Sequence, residues 1–188
     1  MIPRPVTILS SYEQIKPYLR TGMPIFFRGR KGIYSKVIAW VTGTPTHVGI
    51  LVVDCVGNVF IYEALDQGIV KSVASQRIFD YEGEVHIPNW KPWVWDRIDR
   101  DKIEEYAKKS NGARYSWVKA ILSGVGYLTK IPGKSIGSHK FCSEFVRAAL
   151  AFAGYIIGFD ETPTPHELAY ECDGYDMVWQ IKGDYQPL

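Results

Sequence analysis

Cys142, His47 and Glu63 are the residues whose types and positions could carry nucleophilic chemistry. Cys142 opens a run with helical spacing directly after the glycine-rich stretch 124–137. A thiol at a helix start meets unpaired backbone N–H groups and the positive end of the helix dipole. These favour a thiolate and can hold a developing oxyanion. A cysteine there could equally be a small buried hydrophobe, so a base is needed to separate the two uses. His47 begins the most apolar strand, with Gly49, Leu51 and Val53 on its face. Pairing Val53 with Gly57 across a three-residue loop sets a register in which position 47 lies opposite Glu63. Directly opposed Cβ atoms are about 4.5–5.5 Å apart, close enough for a carboxylate to orient an imidazole and support its charged form. A slip of one residue would send Glu63 to the other face. The alternative is a His/Glu pair that only solubilises a sheet edge. Taken together, the three form a Cys-His-acid set suited to attack on an amide or ester carbonyl.

The elements that must position them follow from periodicity. Ser10 and Ser11 precede a short helix from Tyr12 that Pro17 limits, and Ile25–Phe27 reads as a buried strand. Tyr34–Val41 has helical spacing. His47–Val53, Val59–Ala64, Gly68–Val73 and Glu84–Ile87 read as strands of an antiparallel meander. Trp90–Trp95 is a ring-rich connection or a short edge strand. Helices are expected at Lys102–Lys109 behind Asp99 or Asp101, at Tyr115–Leu122, at Cys142–Ala153 and from Thr162 to Ala169, with a last strand at Met177–Ile181. In the Cys142 helix, apolar residues at 142, 145, 146, 149, 150 and 153 make one face, closed by Gly154. The fold class is α+β in one domain spanning 1–188, an antiparallel sheet packed against the helix that starts at Cys142.

Composition narrows the partners. With 22 Lys and Arg against 20 Asp and Glu, the net charge of +2 is too small to hold nucleic acid or an anionic membrane by a global field. The basic turn Arg28–Lys31 reads as a solvated face. The most apolar stretch, Ala148–Phe159, is too short to span a bilayer, and the N-terminus lacks an apolar signal region. The expectation is a protein without integral membrane association, cytoplasmic or delivered by a non-classical route, of bacterial or phage origin. Three cysteines at wide spacing do not make a disulfide scaffold. His139-x-x-Cys142 lacks the other half of a zinc site, and Gly133-Lys134-Ser135 lacks the earlier glycine of a phosphate loop, where Leu128 stands instead. No cofactor and no metal is expected. Trp90, Trp93 and Trp95 suit a core more than a sugar or peptide groove, and His86 and His166 look structural.

Thr46-His47-Val48-Gly49-Ile50, then Tyr62-Glu63-Ala64, then Phe141-Cys142-Ser143-Glu144-Phe145-Val146 resemble the YiiX-like group of circularly permuted NlpC-type papain-like enzymes. The resemblance runs from about Gly22 to Ala169, and in that group the histidine strand precedes the cysteine helix. It implies a permuted papain-like fold with Cys142 as nucleophile, His47 as general base and then acid, and Glu63 as orienter. It also makes Ser143, Glu144 and Tyr115 candidates for substrate binding, although Glu144 is equally explained as a first-turn acid facing the helix dipole. Relatives commonly carry Gly-Asp before the first strand; here Gly22 remains and Met23-Pro24 replaces the acid. The implied activity is that of a thiol hydrolase, a cysteine peptidase or amidase, acting on a cell-wall-type or other small peptide. A lipid-directed thiol acyltransferase or hydrolase with an acylated substrate is a second reading, and a catalytically silent binding protein a third.

Overall fold

The computed structural model describes residues 5–29, 45, 47–65, 67–113, 139–158, 163–170 and 172–182; for 139–141 and 182 the backbone alone is considered. In chain order the described elements are β1 (Val6–Leu9), α1 (Tyr12–Ile15) with a 3-10 turn (Lys16–Tyr18), β2 (Pro24–Gly29), β3 (His47–Val53), β4 (Val59–Leu65), β5 (Gly68–Val73), α2 (Ala74–Asp80), β6 (Gly83–Trp90), α3 (Pro92–Trp95), α4 (Arg100–Ser110), α5 (His139–Phe152), α6 (Pro165–Tyr170) and β7 (Tyr175–Lys182). The helices expected at 34–41 and 115–122 and the phosphate-loop look-alike at 133–135 lie outside the described residues.

Local chemistry accounts for many of these boundaries. Ser11 caps α1 through a reciprocal capping box with Gln14, and Pro17 then confines the helix to one turn and a 3-10 extension. Asp99 caps α4 by accepting from the Lys102 N–H at 3.2 Å.

The seven strands form one sheet in the order β1-β7-β6-β2-β3-β4-β5. Neighbours are antiparallel except β1 and β7, which run parallel with Val6 opposite Met177. The class is therefore α+β, but the sheet is mixed and not purely antiparallel as expected. The cause is β1, an unforeseen N-terminal strand that lies beside the C-terminal one. Both faces are covered, which is why β3 is a continuous apolar run: its five central residues are all buried. On one face Phe26, Val48, Ile50, Val52 and Tyr62 join Tyr106 of α4, Phe145 and Leu150 of α5 and Leu168 of α6. On the other, Phe27, Leu51, Ile61 and Val85 join Ile15, Leu19 and Ile78 of α2. Met23 is buried in this second cluster. Trp90 is core, donating from Nε1 to the Gly22 carbonyl at 2.9 Å, whereas Trp93 is 39% exposed. Among the described residues no helix is long and apolar enough to cross a membrane.

The hairpin register corrects the expected one. Val53 pairs with Val59 and Gly49 with Glu63. The loop is five residues long because the Asp54 carboxylate accepts the N–H groups of Val56 at 3.0 Å and Asn58 at 2.8 Å. Two added loop residues move the register by two, an even number, so His47 and Glu63 keep a common face. Gly49 leaves the site opposite Glu63 without a side chain; a Cβ there would lie 2.9 Å from Ile61 Cγ2 and 3.0 Å from the Tyr62 carbonyl oxygen. Gly49→Ala should therefore destabilise the protein by about 1–3 kcal/mol. A urea titration checks this, and an unchanged midpoint contradicts it.

Candidate active site

At one end of the sheet the strands fork. The β3–β4 ladder stops at Gly49 opposite Glu63, while β2–β3 continues to Phe27 opposite His47 and β4–β5 to Leu65 opposite Gly68. His47, the first residue of β3, stands beyond that last rung. Its ring packs on Phe27 with centroids 5.7 Å apart, and 20% of its side chain is exposed. Glu63 has no exposed surface. Its Oε2 lies 2.8 Å from His47 Nε2. Direct opposition does not make this contact, as had been expected; the side chains meet diagonally.

A buried carboxylate is costly unless its lone pairs and charge are met. Arg77 meets both, donating from Nε to Oε1 at 2.7 Å and from Nη2 to Oε2 at 3.1 Å. This is a two-pronged, charge-assisted contact. Burial pushes the Glu63 carboxyl up, but hydrogen bonds from His47 and Arg77, with their charges, outweigh it and hold the group below its ordinary 4.5. Burial likewise disfavours charged His47, yet hydrogen bonds to Cys142 and Glu63 and the charges of both raise it from 6.5 to about 9. The imidazole is thus joined to the carboxylate on one side and the thiol on the other. Nε2 is the ring nitrogen that meets the carboxylate.

Cys142 comes to this junction from α5 and is 1% exposed. Its position corrects the expectation that it opens the helix. The helix starts at His139, so Cys142 is its fourth residue. The N–H groups that lack a partner within a helix are those of its first turn. Ser143 is fully buried and Glu144 partly so. Tyr115 and the side chain of His139 lie outside the described residues. Of the six candidate site residues, the structure joins Cys142, His47 and Glu63.

Sequence reasoning missed Arg77, together with the whole of α2. The available signal was chemical: a carboxylate on a sheet face that must be buried calls for a cation, and Ala74 and Ile78 at i and i+4 already mark a helix face carrying one. The guanidinium also stacks on Phe27 at 4.4 Å and lies 5.3 Å from the Tyr81 ring centroid. A second buried set stands on β6, where Glu84 Oε2 is 3.3 Å from Arg28 Nη1 and 3.3 Å from His86 Nε2. Arg28, read as part of a solvated turn, is engaged there, and burial holds His86 below its ordinary value. None of the three cysteines is in a disulfide; Cys55 is exposed and Cys172 buried. Among the described residues no group of three or more His, Cys, Asp or Glu is placed to hold a metal ion.

The two shifts act on stability in opposite directions. Glu63, depressed below 4.5, contributes stability that is complete above that value and is lost as pH falls through the depressed pKa. His47, raised from 6.5 to about 9, contributes stability that is complete below 6.5 and is lost as pH rises through about 9. The difference in urea midpoint between wild type and His47→Gln should therefore hold steady between pH 4.5 and 6.5 and shrink toward pH 9. A difference that grows above pH 6.5 contradicts the assignment.

No protein-family model matches the chain, and no curated protein matches it. Among solved structures it is similar in part to one described as metalloprotein yiiX from Escherichia coli O157:H7, DUF1105. The identity is 22% and the TM-score 0.49, over 74% of this chain and 69% of that one.

Proposed function

We propose that the chain is a thiol hydrolase of the permuted papain-like type, a cysteine peptidase or amidase that cleaves an amide bond through an acyl-enzyme. The observation that carries this reading is the hydrogen-bonded line from Glu63 through His47 to Cys142. The chain order, histidine strand before cysteine helix, supports the permuted arrangement, and the motif resemblance favours a cell-wall-type or other small peptide as substrate.

His47 takes the Cys142 proton, and the sulfur attacks the carbonyl carbon. Backbone N–H groups in the first turn of α5 receive the developing oxyanion. Collapse breaks the C–N bond while His47 returns its proton to the departing amine. Water, losing a proton to His47, then attacks the thioester, releases the acid and restores the thiol. Glu63 accepts from Nε2–H throughout, which keeps the ring oriented and stabilises the imidazolium. A proton affinity near 9 suits the first step, since it lets His47 hold the thiol proton at neutral pH.

The solved neighbour is described as a metalloprotein. A metal reading of these same residues here meets an obstacle: both Glu63 oxygens are engaged by Arg77, and one of them also by His47.

Iodoacetamide labelling with mass mapping near pH 6 tests the reading without a known substrate. Cys55 is the exposed cysteine, so exposure alone predicts that it labels first. The proposal predicts that Cys142 labels about tenfold faster than Cys55 or Cys172. On a peptide amide substrate, Cys142→Ala should lower turnover to about a thousandth or less without unfolding the protein, and wild-type turnover should fall above about pH 9 as His47 loses its proton. Equal, slow labelling of all three thiols, or full activity in Cys142→Ala, overturns it.

A further inference from the structure

We infer that Arg77 is a positioning residue of the site: by clamping Glu63 it holds the carboxylate ionised and aimed at His47, and so sets the pH range in which the Cys142–His47 pair is reactive. The inference rests on the proposed thiol chemistry.

The geometry is that of a clamp. Two guanidinium N–H groups reach both oxygens of Glu63, and Oε2 is shared with His47 Nε2. A carboxylate with a single partner can rotate about its last bond; one gripped at both oxygens cannot leave the plane set by the guanidinium. The guanidinium is itself fixed between flat surfaces, over Phe27 on β2 and near Tyr81. Phe27 also carries the His47 ring, so a single aromatic side chain sets the height of both the cation and the imidazole. Arg77 stands in the last turn of α2, where a cation suits the helix dipole.

The clamp also has an electrostatic consequence. Among the described residues, the groups bearing on His47 are the Cys142 thiol from α5 and the Glu63 carboxylate from β4, with Arg77 of α2 acting through Glu63. The full positive charge of Arg77 against Glu63 reduces the negative field at the imidazole while preventing the buried carboxylate from taking up a proton. Removing the cation should strengthen the hold of Glu63 on the His47 proton and raise the pH at which that proton leaves.

Full-length wild type, Arg77→Lys and Arg77→Met are compared by the rate of Cys142 alkylation with iodoacetamide from pH 4 to 10.5, with mass mapping and circular dichroism at each pH. Wild type should show a reactive plateau through neutral pH and a step near 9. Arg77→Met should move that step upward by about half a unit or more and lower the plateau several-fold. Arg77→Lys keeps the charge but loses the fork, so its step should stay in place while its plateau falls. A folded Arg77→Met whose step and plateau both match wild type overturns the inference. Should Arg77→Met fail to fold, Arg77→Lys decides: a plateau equal to wild type overturns the clamp, and a lowered plateau with an unmoved step supports it. A wild-type protein with no neutral plateau is a different failure, that of the thiol chemistry itself.

Discussion

The Glu63 carboxylate has no contact with solvent, and its charge is the constraint around which this end of the molecule is arranged. A lone carboxylate in such a place would protonate. It stays ionised because two cationic groups converge on it from different elements, Arg77 from α2 and His47 from β3. Each partner makes the other tolerable. With only His47 present, the carboxylate would have a free edge; with only Arg77, its charge would never reach the thiol. Phe27 supports both rings of contact from β2, and Gly49 leaves the position opposite Glu63 empty. Interactions of this kind matter less for the number of hydrogen bonds than for the penalty that follows when one is removed and the rest stay buried.

The sheet solves a geometric difficulty that the site creates. Its two faces are closed by separate cores, with α5 on one side and α2 on the other. A group on α5 and a group clamped from α2 would normally be divided by a layer of backbone. They meet because the β3–β4 ladder ends early, at Gly49 and Glu63, while the outer ladders run on. His47 stands at that fork and is joined to Cys142 on one side and Glu63 on the other. The register that places Gly49 opposite Glu63 is a local matter, traceable to Asp54 and the longer loop that its carboxylate folds.

Much of this was legible in the sequence, for identifiable reasons. The strands His47–Val53 and Gly68–Val73 and the apolar face of α5 announce themselves by period, which depends only on near neighbours. The partnership of His47 with Glu63 is legible although the hairpin loop is two residues longer than the turn signal suggests, because a shift of two residues preserves the face. What escaped depends on distant partners. The four-residue β1 is defined by pairing with β7 at the far end of the chain, so nothing nearby marks it. The helix α2 is only seven residues long, and its defining contact is an ion pair to another element. Of the three residues of α5 before Cys142, His139 is polar and Lys140 and Phe141 do not fall on its apolar face, so periodicity does not mark them as helix.

The central claim is that His47 links the Glu63 carboxylate to the Cys142 thiol and is charged at neutral pH because of both. Nitrogen NMR of ring-labelled histidine reads this directly, since doubly protonated and singly protonated rings have distinct nitrogen shifts, and His47→Gln assigns the signal. The account predicts that His47 in wild type stays doubly protonated through neutral pH and titrates at about 9, and that Cys142→Ser moves this titration downward. A His47 ring that is neutral at pH 7 in wild type, titrating at or below its ordinary 6.5 and indifferent to the loss of the Cys142 sulfur, would contradict it.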